Sequence, residues 1–130
     1  KSAQMLKDEA EKVFATDPRA ASRMLASAVV ADDKNSALWT RLAEALLAVR
    51  PDPDKGSERY DLPVNASGAA YLGYELATDT KDKAHALSVL GMAAVRLGPG
   101  VERALLVAPM QELHEELQDF VARIREALGT

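Results

Sequence analysis

From Ser2 to Ala15 the apolar residues Leu6, Ala10, Val13 and Phe14 recur with the period of an amphipathic helix. Thr16-Asp17-Pro18 interrupts that stripe. Asp17 suits a helix N-cap, and Pro18 suits a first turn, where no N–H is needed. A second helix places Ala21, Met24, Leu25, Ala28 and Val29 on one face and ends in Asp32-Asp33-Lys34-Asn35. Asn35 or Ser36 can cap a third helix, whose bulk is Trp39, Leu42 and Leu46 with Ala43 beside them. This helix has to stop near Arg50, because Pro51 and Pro53 cannot continue it.

Arg50 to Pro63 reads as one long irregular connection rich in Pro, Asp and Gly. So long a loop in a compact domain raises the question of a functional role against that of a plain surface excursion. A fourth helix is expected from Pro63 or Asn65 to about Ala77. Its face of Ala66, Ala69, Ala70, Gly73 and Ala77 is small enough for a neighbouring helix to press closely against it. Thr78-Asp79-Thr80 supplies a turn and caps for a fifth helix, about Lys81 to Leu97. That helix is apolar nearly all round from Leu87 to Val95 and so is expected to be the most buried. Gly98 fits the left-handed position after a helix C-terminus. A short helix from Val101 to Ala108 and a last one from Pro109 to about Leu128 complete the pattern. The last carries a stripe of Leu113, Leu117, Phe120, Ile124 and Leu128, with acids opposite.

Two of these helices repeat one another. Trp39-x-x-Leu42-Ala43-x-x-Leu46 has the spacing of the tetratricopeptide signature W-x-x-L-G-x-x-Y, and Leu87-x-x-Leu90-Gly91-x-x-Ala94 is a second copy. Ala21, Leu25, Ala28 and Asp32 to Asn35 resemble the second helix of a preceding repeat and its exit, without the exit proline. Trp39 to Leu87 is 48 positions. A standard repeat is about 34 residues, so the excess is roughly 48 − 34 = 14, the length of the segment Arg50 to Pro63. The expected fold is therefore all-α. It is a tetratricopeptide-like array of antiparallel helix pairs, about seven helices in a right-handed solenoid, forming one domain over residues 1–130. Trp39, Leu42, Leu46, Leu87 and Leu90 are its packing anchors. Trp39 is expected to fill the contact between its helix and the adjoining pair, so Trp39→Ala is expected to cost roughly 3–5 kcal/mol.

Composition narrows the function classes. The chain has 130 residues, a net charge of -4 and no block of Lys or Arg. The basic footprint that displaces counterions from phosphates is therefore missing, which argues against nucleic acid. No apolar run reaches the roughly 20 residues that span a bilayer, so membrane contact would fall to segments outside this chain. The sequence contains no cysteine, which excludes thiol chemistry and fits cytoplasm or cell envelope equally. It begins at Lys1, and the expectation is a fragment of a longer protein.

No residue set specifies a reaction, a cofactor or a small-molecule substrate. His114 stands beside Glu115 and Glu116, but His85 is the other histidine and no H-E-x-x-H exists, which leaves zinc without a ligand set. Asp52-Pro-Asp54-Lys-Gly56 resembles a calcium loop only faintly. Its glycine comes one position early, and Pro63 stands where the bidentate glutamate belongs. Glu112, Glu115, Glu116 and Asp119 form a solvated face. Asn65-Ala-Ser67 fits a glycosylation sequon, but a helix start is the better reading of the same residues. What remains is a groove. In stacked pairs the first helices line the concave side, which places Ala37, Thr40, Glu44 and Ala48 there from one copy and His85, Ser88, Met92 and Arg96 from the other. The partner positions are accordingly Thr40, Glu44, His85, Ser88, Met92 and Arg96, able to hold an extended protein segment unless another part of the parent chain fills the groove.

The order of features resembles one family. Leu38-Trp-x-x-Leu-Ala-x-Ala-Leu-Leu-Ala-Val49, a Pro-rich loop, Tyr60-Asp-Leu62, Ala69-Ala-Tyr71-x-x-Tyr74, Lys83-Ala-x-Ala-Leu87-x-x-Leu90-Gly-x-Ala93 and Glu102-Arg-Ala-Leu105 follow one another. This is similar to the helical segment near the N-terminus of bacterial alpha-2-macroglobulin-like proteins, over about Ala15 to Leu128. The resemblance implies a periplasmic or extracellular protein that traps endopeptidases. The thioester chemistry of that family needs a Cys-x-Glu-Gln motif in another domain, and this chain, lacking cysteine, would contribute docking or spacing. The expectation is thus a non-catalytic interaction or scaffold module within such an inhibitor. The alternative is a stand-alone, cytoplasmic tetratricopeptide adaptor that binds a peptide or partner protein.

Overall fold

A computed structural model describes residues 1–98, and among these the chain forms five helices and no strand. Helix α1 spans Ala3–Val13, α2 Pro18–Ala31, α3 Ser36–Ala48, α4 Glu58–Leu76 and α5 Thr80–Leu97. The expected helices over 101–108 and 109–128 lie outside the described residues. The all-α expectation stands for the described part.

Local chemistry sets most of the boundaries. The Ser2 hydroxyl accepts from Met5 N at the start of α1 (3.2 Å). Asp17 accepts from Ala20 N at 3.1 Å, with Pro18 in the first turn of α2. Asn35, not Ser36, caps α3, accepting from Leu38 N at 3.3 Å. Asp79 accepts from Asp82 N at 2.7 Å and starts α5. Each acceptor satisfies a first-turn N–H that has no partner inside the helix. Gly98 ends α5 at φ 109°, a conformation that favours glycine, and its N–H bonds to Ala94 O at 3.1 Å.

Helix α4 starts earlier than its proline suggests. The irregular connection ends at Ser57 instead of Pro63, and Pro63 lies inside the helix. A proline lacks one donor but does not prevent a turn from closing ahead of it. Here Tyr60 N and Asp61 N both donate to Ser57 O, at 3.0 and 2.9 Å, before Pro63 is reached. Glu58 and Asp61 in that first turn oppose the positive helix end. Leu62 and Pro63 are themselves buried, so packing holds the proline-bearing turn in place. The extra length between the two signature copies is therefore shared between a shorter connection and a long α4.

Consecutive helices pack against one another, and α3 also packs against α5. The core is rich in alanine: Ala10, Ala21, Ala28, Ala43, Ala45, Ala66, Ala70, Ala86, Ala93 and Ala94 are fully buried. Leu25, Leu90 and Val89 are the largest side chains enclosed completely. The expected small face of α4 is the one that meets α3, with Ala66, Ala69, Ala70, Gly73 and Ala77 all buried. At its tightest point Thr40 lies on Gly73, and the Ser36 hydroxyl donates to Gly73 O at 2.7 Å.

The anchors divide. Leu42, Leu87 and Leu90 are buried, whereas Trp39 and Leu46 are only half-buried against the core. Trp39 is held at its edge, its indole N–H donating to Asp33 O at 2.8 Å. Helix α5 is not enclosed all round among the described residues: Met92 and Val95 are 52% and 65% exposed.

The connection between α3 and α4 is pinned rather than loose. Asp52 Oδ1 accepts from Asp54 N (2.9 Å), and Lys55 N bonds Asp52 O (2.9 Å). Glu58 accepts two hydrogen bonds from the Arg19 guanidinium of α2, at 2.7 and 2.8 Å, and a third from Asp52 N at 2.9 Å. These bonds, the Arg19 pair first, lower the Glu58 carboxyl from 4.5 to about 2. A depressed carboxyl stabilises the fold above its unfolded value and loses that contribution as pH falls through the folded one. Glu58→Gln should therefore be less stable than the parent at neutral pH, and the gap should close between pH 4.5 and about 2. Denaturant melts across that range check this, and a gap independent of pH would contradict it.

Candidate functional site

Residues from three helices that are not neighbours in sequence line one polar groove of about 450 Å³. Helix α1 supplies Lys7 and Glu11, and α5 supplies Asp82 and His85. Between them α3 contributes Ser36, Ala37, Thr40, Arg41 and Glu44, the last four within an arc of about 100° on that helix.

Arg41 organises the floor. Its guanidinium donates to both oxygens of Glu11, Nε to Oε1 at 2.7 Å and Nη2 to Oε2 at 2.9 Å, tying α3 to α1. Nη1 reaches Glu44 Oε1 at 3.4 Å, and the guanidinium carbon sits 3.7 Å from the centre of the Phe14 ring. A planar fork over an aromatic face, bonded at two points to a carboxylate, is a geometry that arginine makes and lysine does not. The hydrogen bonds between Arg41 and Glu11 hold the Glu11 carboxyl below its ordinary value and the Arg41 guanidinium above its own. On the far side, Glu44 Oε2 lies 3.5 Å from His85 Nε2, so Glu44 stands between a cation of its own helix and the imidazole of α5.

The structure brings three of the six expected partner positions together. Thr40, Glu44 and His85 line the groove, although Thr40 is 3% exposed and has a second role beneath Gly73. Ser88, Met92 and Arg96 lie further along α5 and are not in the lining. The Ser88 hydroxyl donates to His85 O of its own helix at 2.7 Å. Met92 is exposed. Arg96 Nη1 donates to Leu47 O at 2.9 Å and so closes the last turn of α3, a positioning contact between helices. Lys7, Glu11, Ser36, Arg41 and Asp82 complete the groove without having been expected there. One signal pointed to α1: a standard period of about 34 residues counted back from Arg41 lands on Lys7.

Chemically the groove offers alternating charges and an imidazole on a wall of helices. Among the described residues no three His, Asp or Glu side chains converge as a metal-ligand set, and no helix is long and apolar enough to cross a membrane. In comparisons with known proteins, no family model, no curated protein and no solved structure matches the chain.

Proposed function

We propose that the chain is a non-catalytic protein–protein interaction or scaffold module. It is built of tetratricopeptide-like helix pairs stacked as a right-handed solenoid, and its α1–α3–α5 groove receives a segment of a partner protein. The observation that carries this reading is that alternate helices share one polar groove, while α2 and α4 contribute nothing to it. Alternation of that kind is how stacked helix pairs expose a continuous concave surface. The groove's paired charges suit an extended segment, whose backbone groups and side chains find donors and acceptors along the wall.

The resemblance to bacterial macroglobulin-like proteins supports a wider context. There the module sits in a periplasmic or extracellular endopeptidase inhibitor and docks another domain of the parent or an envelope protein. Ala37 is exposed in the groove wall and takes no part in the Arg41 network, which makes it the position to test. A photo-crosslinking side chain at Ala37, in the protein within its own cell, should capture a discrete protein adduct. The same group at Ala48, exposed on α3 but outside the lining, should not. Ala37→Arg should reduce partner capture about tenfold while the helical circular dichroism is unchanged. Equal capture at the two positions, or full capture by a folded Ala37→Arg variant, overturns the assignment.

A further inference from the structure

A second groove, of about 600 Å³, lies on the opposite side of α3. Its floor is Trp39, Leu42 and Leu46, which fall about 180° around α3 from the polar groove. Helix α2 forms one wall, and α4 forms the other with Val64 and Leu72, which are 49% and 41% exposed. Ala26, Gly68 and Ala69 on the two walls leave room for another backbone to come close.

We infer that this groove docks an amphipathic helix of a partner protein, one that carries a carboxylate beside its apolar stripe. Backbone satisfaction selects a helix. Every wall is helical, so its peptide groups are already paired, and an extended segment lying here would bury N–H and C=O groups without partners. A helix satisfies its own backbone and needs only apolar contact, in the helix-in-groove mode. Charge selects what flanks its apolar stripe. Arg23 is the charged residue of the lining, it is exposed, and it makes no ion pair among the described residues. A carboxylate on the incoming helix pairs with it, and a lysine there is repelled.

The chain's single tryptophan lies on the groove floor and serves as the reporter. The probe is a synthetic helix of about 16 residues with leucines at i, i+3, i+7 and i+10 and a flanking glutamate, compared with a twin bearing lysine instead. The glutamate peptide should shift Trp39 emission to the blue and saturate. The lysine twin should bind about two- to fivefold more weakly, the scale of one exposed ion pair. Arg23→Glu should reverse that preference. Leu72→Asp should weaken binding about tenfold, and Val64→Asp, at the other exposed wall residue, provides the same test should the first variant unfold. Equal binding of the two peptides, or binding untouched by both wall variants, overturns the inference. So does a blue shift produced equally by neutral phosphatidylcholine vesicles. A concentration-dependent dimer in sedimentation, abolished by Leu72→Asp without peptide, assigns the groove to a second copy instead and also overturns it.

Discussion

Gly73→Val should destabilise the protein by about 3 kcal/mol or more, and Gly73→Ala by about 2 kcal/mol, the upper range of overpacking in a tight interior. A Cβ at Gly73 would collide with Thr40 Oγ1 and lie 3.2 Å from Thr40 N and 3.3 Å from Ser36 O. One of the two other staggered rotamers of Thr40 puts its methyl in the same place, because the residue is branched at Cβ. The two backbone contacts remain whatever Thr40 does, so α4 has to move off α3. That movement also stretches the bond from the Ser36 hydroxyl to Gly73 O. The helix-propensity gain from replacing glycine, about 1 kcal/mol, offsets part of the loss for alanine. Gly68, on the same helix, has nothing within 4 Å of an added Cβ, so Gly68→Ala should gain about 0.5–1 kcal/mol. A Thr40→Ala/Gly73→Ala double mutant should recover about 1 kcal/mol relative to the sum of the single changes. Equilibrium urea melts of the five variants, Thr40→Ala among them, decide the matter; a Gly73→Ala protein as stable as the parent would rule out the close approach.

The small face of α4 was legible because glycine and alanine at helical spacing have few uses other than close packing. The helix starts at Asp17, Asn35 and Asp79 and the stop at Gly98 were legible for a similar reason: each depends on one residue meeting backbone groups a few positions away. The start of α4 was not. Pro63 carries a strong local signal, and the forces that override it, the Ser57 turn and the burial of Leu62 and Pro63, come from elsewhere in the fold. The polar groove shows the same division. Spacing between two copies of one signature aligned α3 with α5 and thereby found Thr40, Glu44 and His85. Helix α1 carries no copy of that signature, so Lys7 is reached only by counting a period of about 34 residues back from Arg41. Arg41 stayed out of view, because its role exists only once Glu11 and Phe14 are brought to it. Arg96 repeats at a groove position yet folds back on Leu47 O, a partner that periodicity cannot supply.

Leu90→Ala should cost about 3–5 kcal/mol, more than Trp39→Ala, which should cost about 1–3 kcal/mol although it removes the larger side chain. The two residues hold equivalent prominence in the repeat signature, and size alone would rank tryptophan first. Burial reverses the order. Leu90 is among the largest side chains with no exposed surface, and it packs into the alanine-rich interior with Ala86, Ala93 and Ala94. Alanine there leaves a cavity that a close-packed set of helices cannot collapse, so a cavity term adds to the lost transfer energy. Trp39 is half-buried, faces the apolar groove and is tethered by one hydrogen bond to Asp33 O. Its removal opens space that solvent already reaches, forfeits part of the ring's burial and frees one carbonyl that water can satisfy. Thermal and urea melts of the two variants test this, and a larger loss for Trp39→Ala would return the tryptophan to the core. The smaller loss expected at Trp39 also bears on use of the residue: a large aromatic kept at the floor of an open groove, fixed in orientation but not enclosed, contributes more surface to a docking helix than to the fold that presents it.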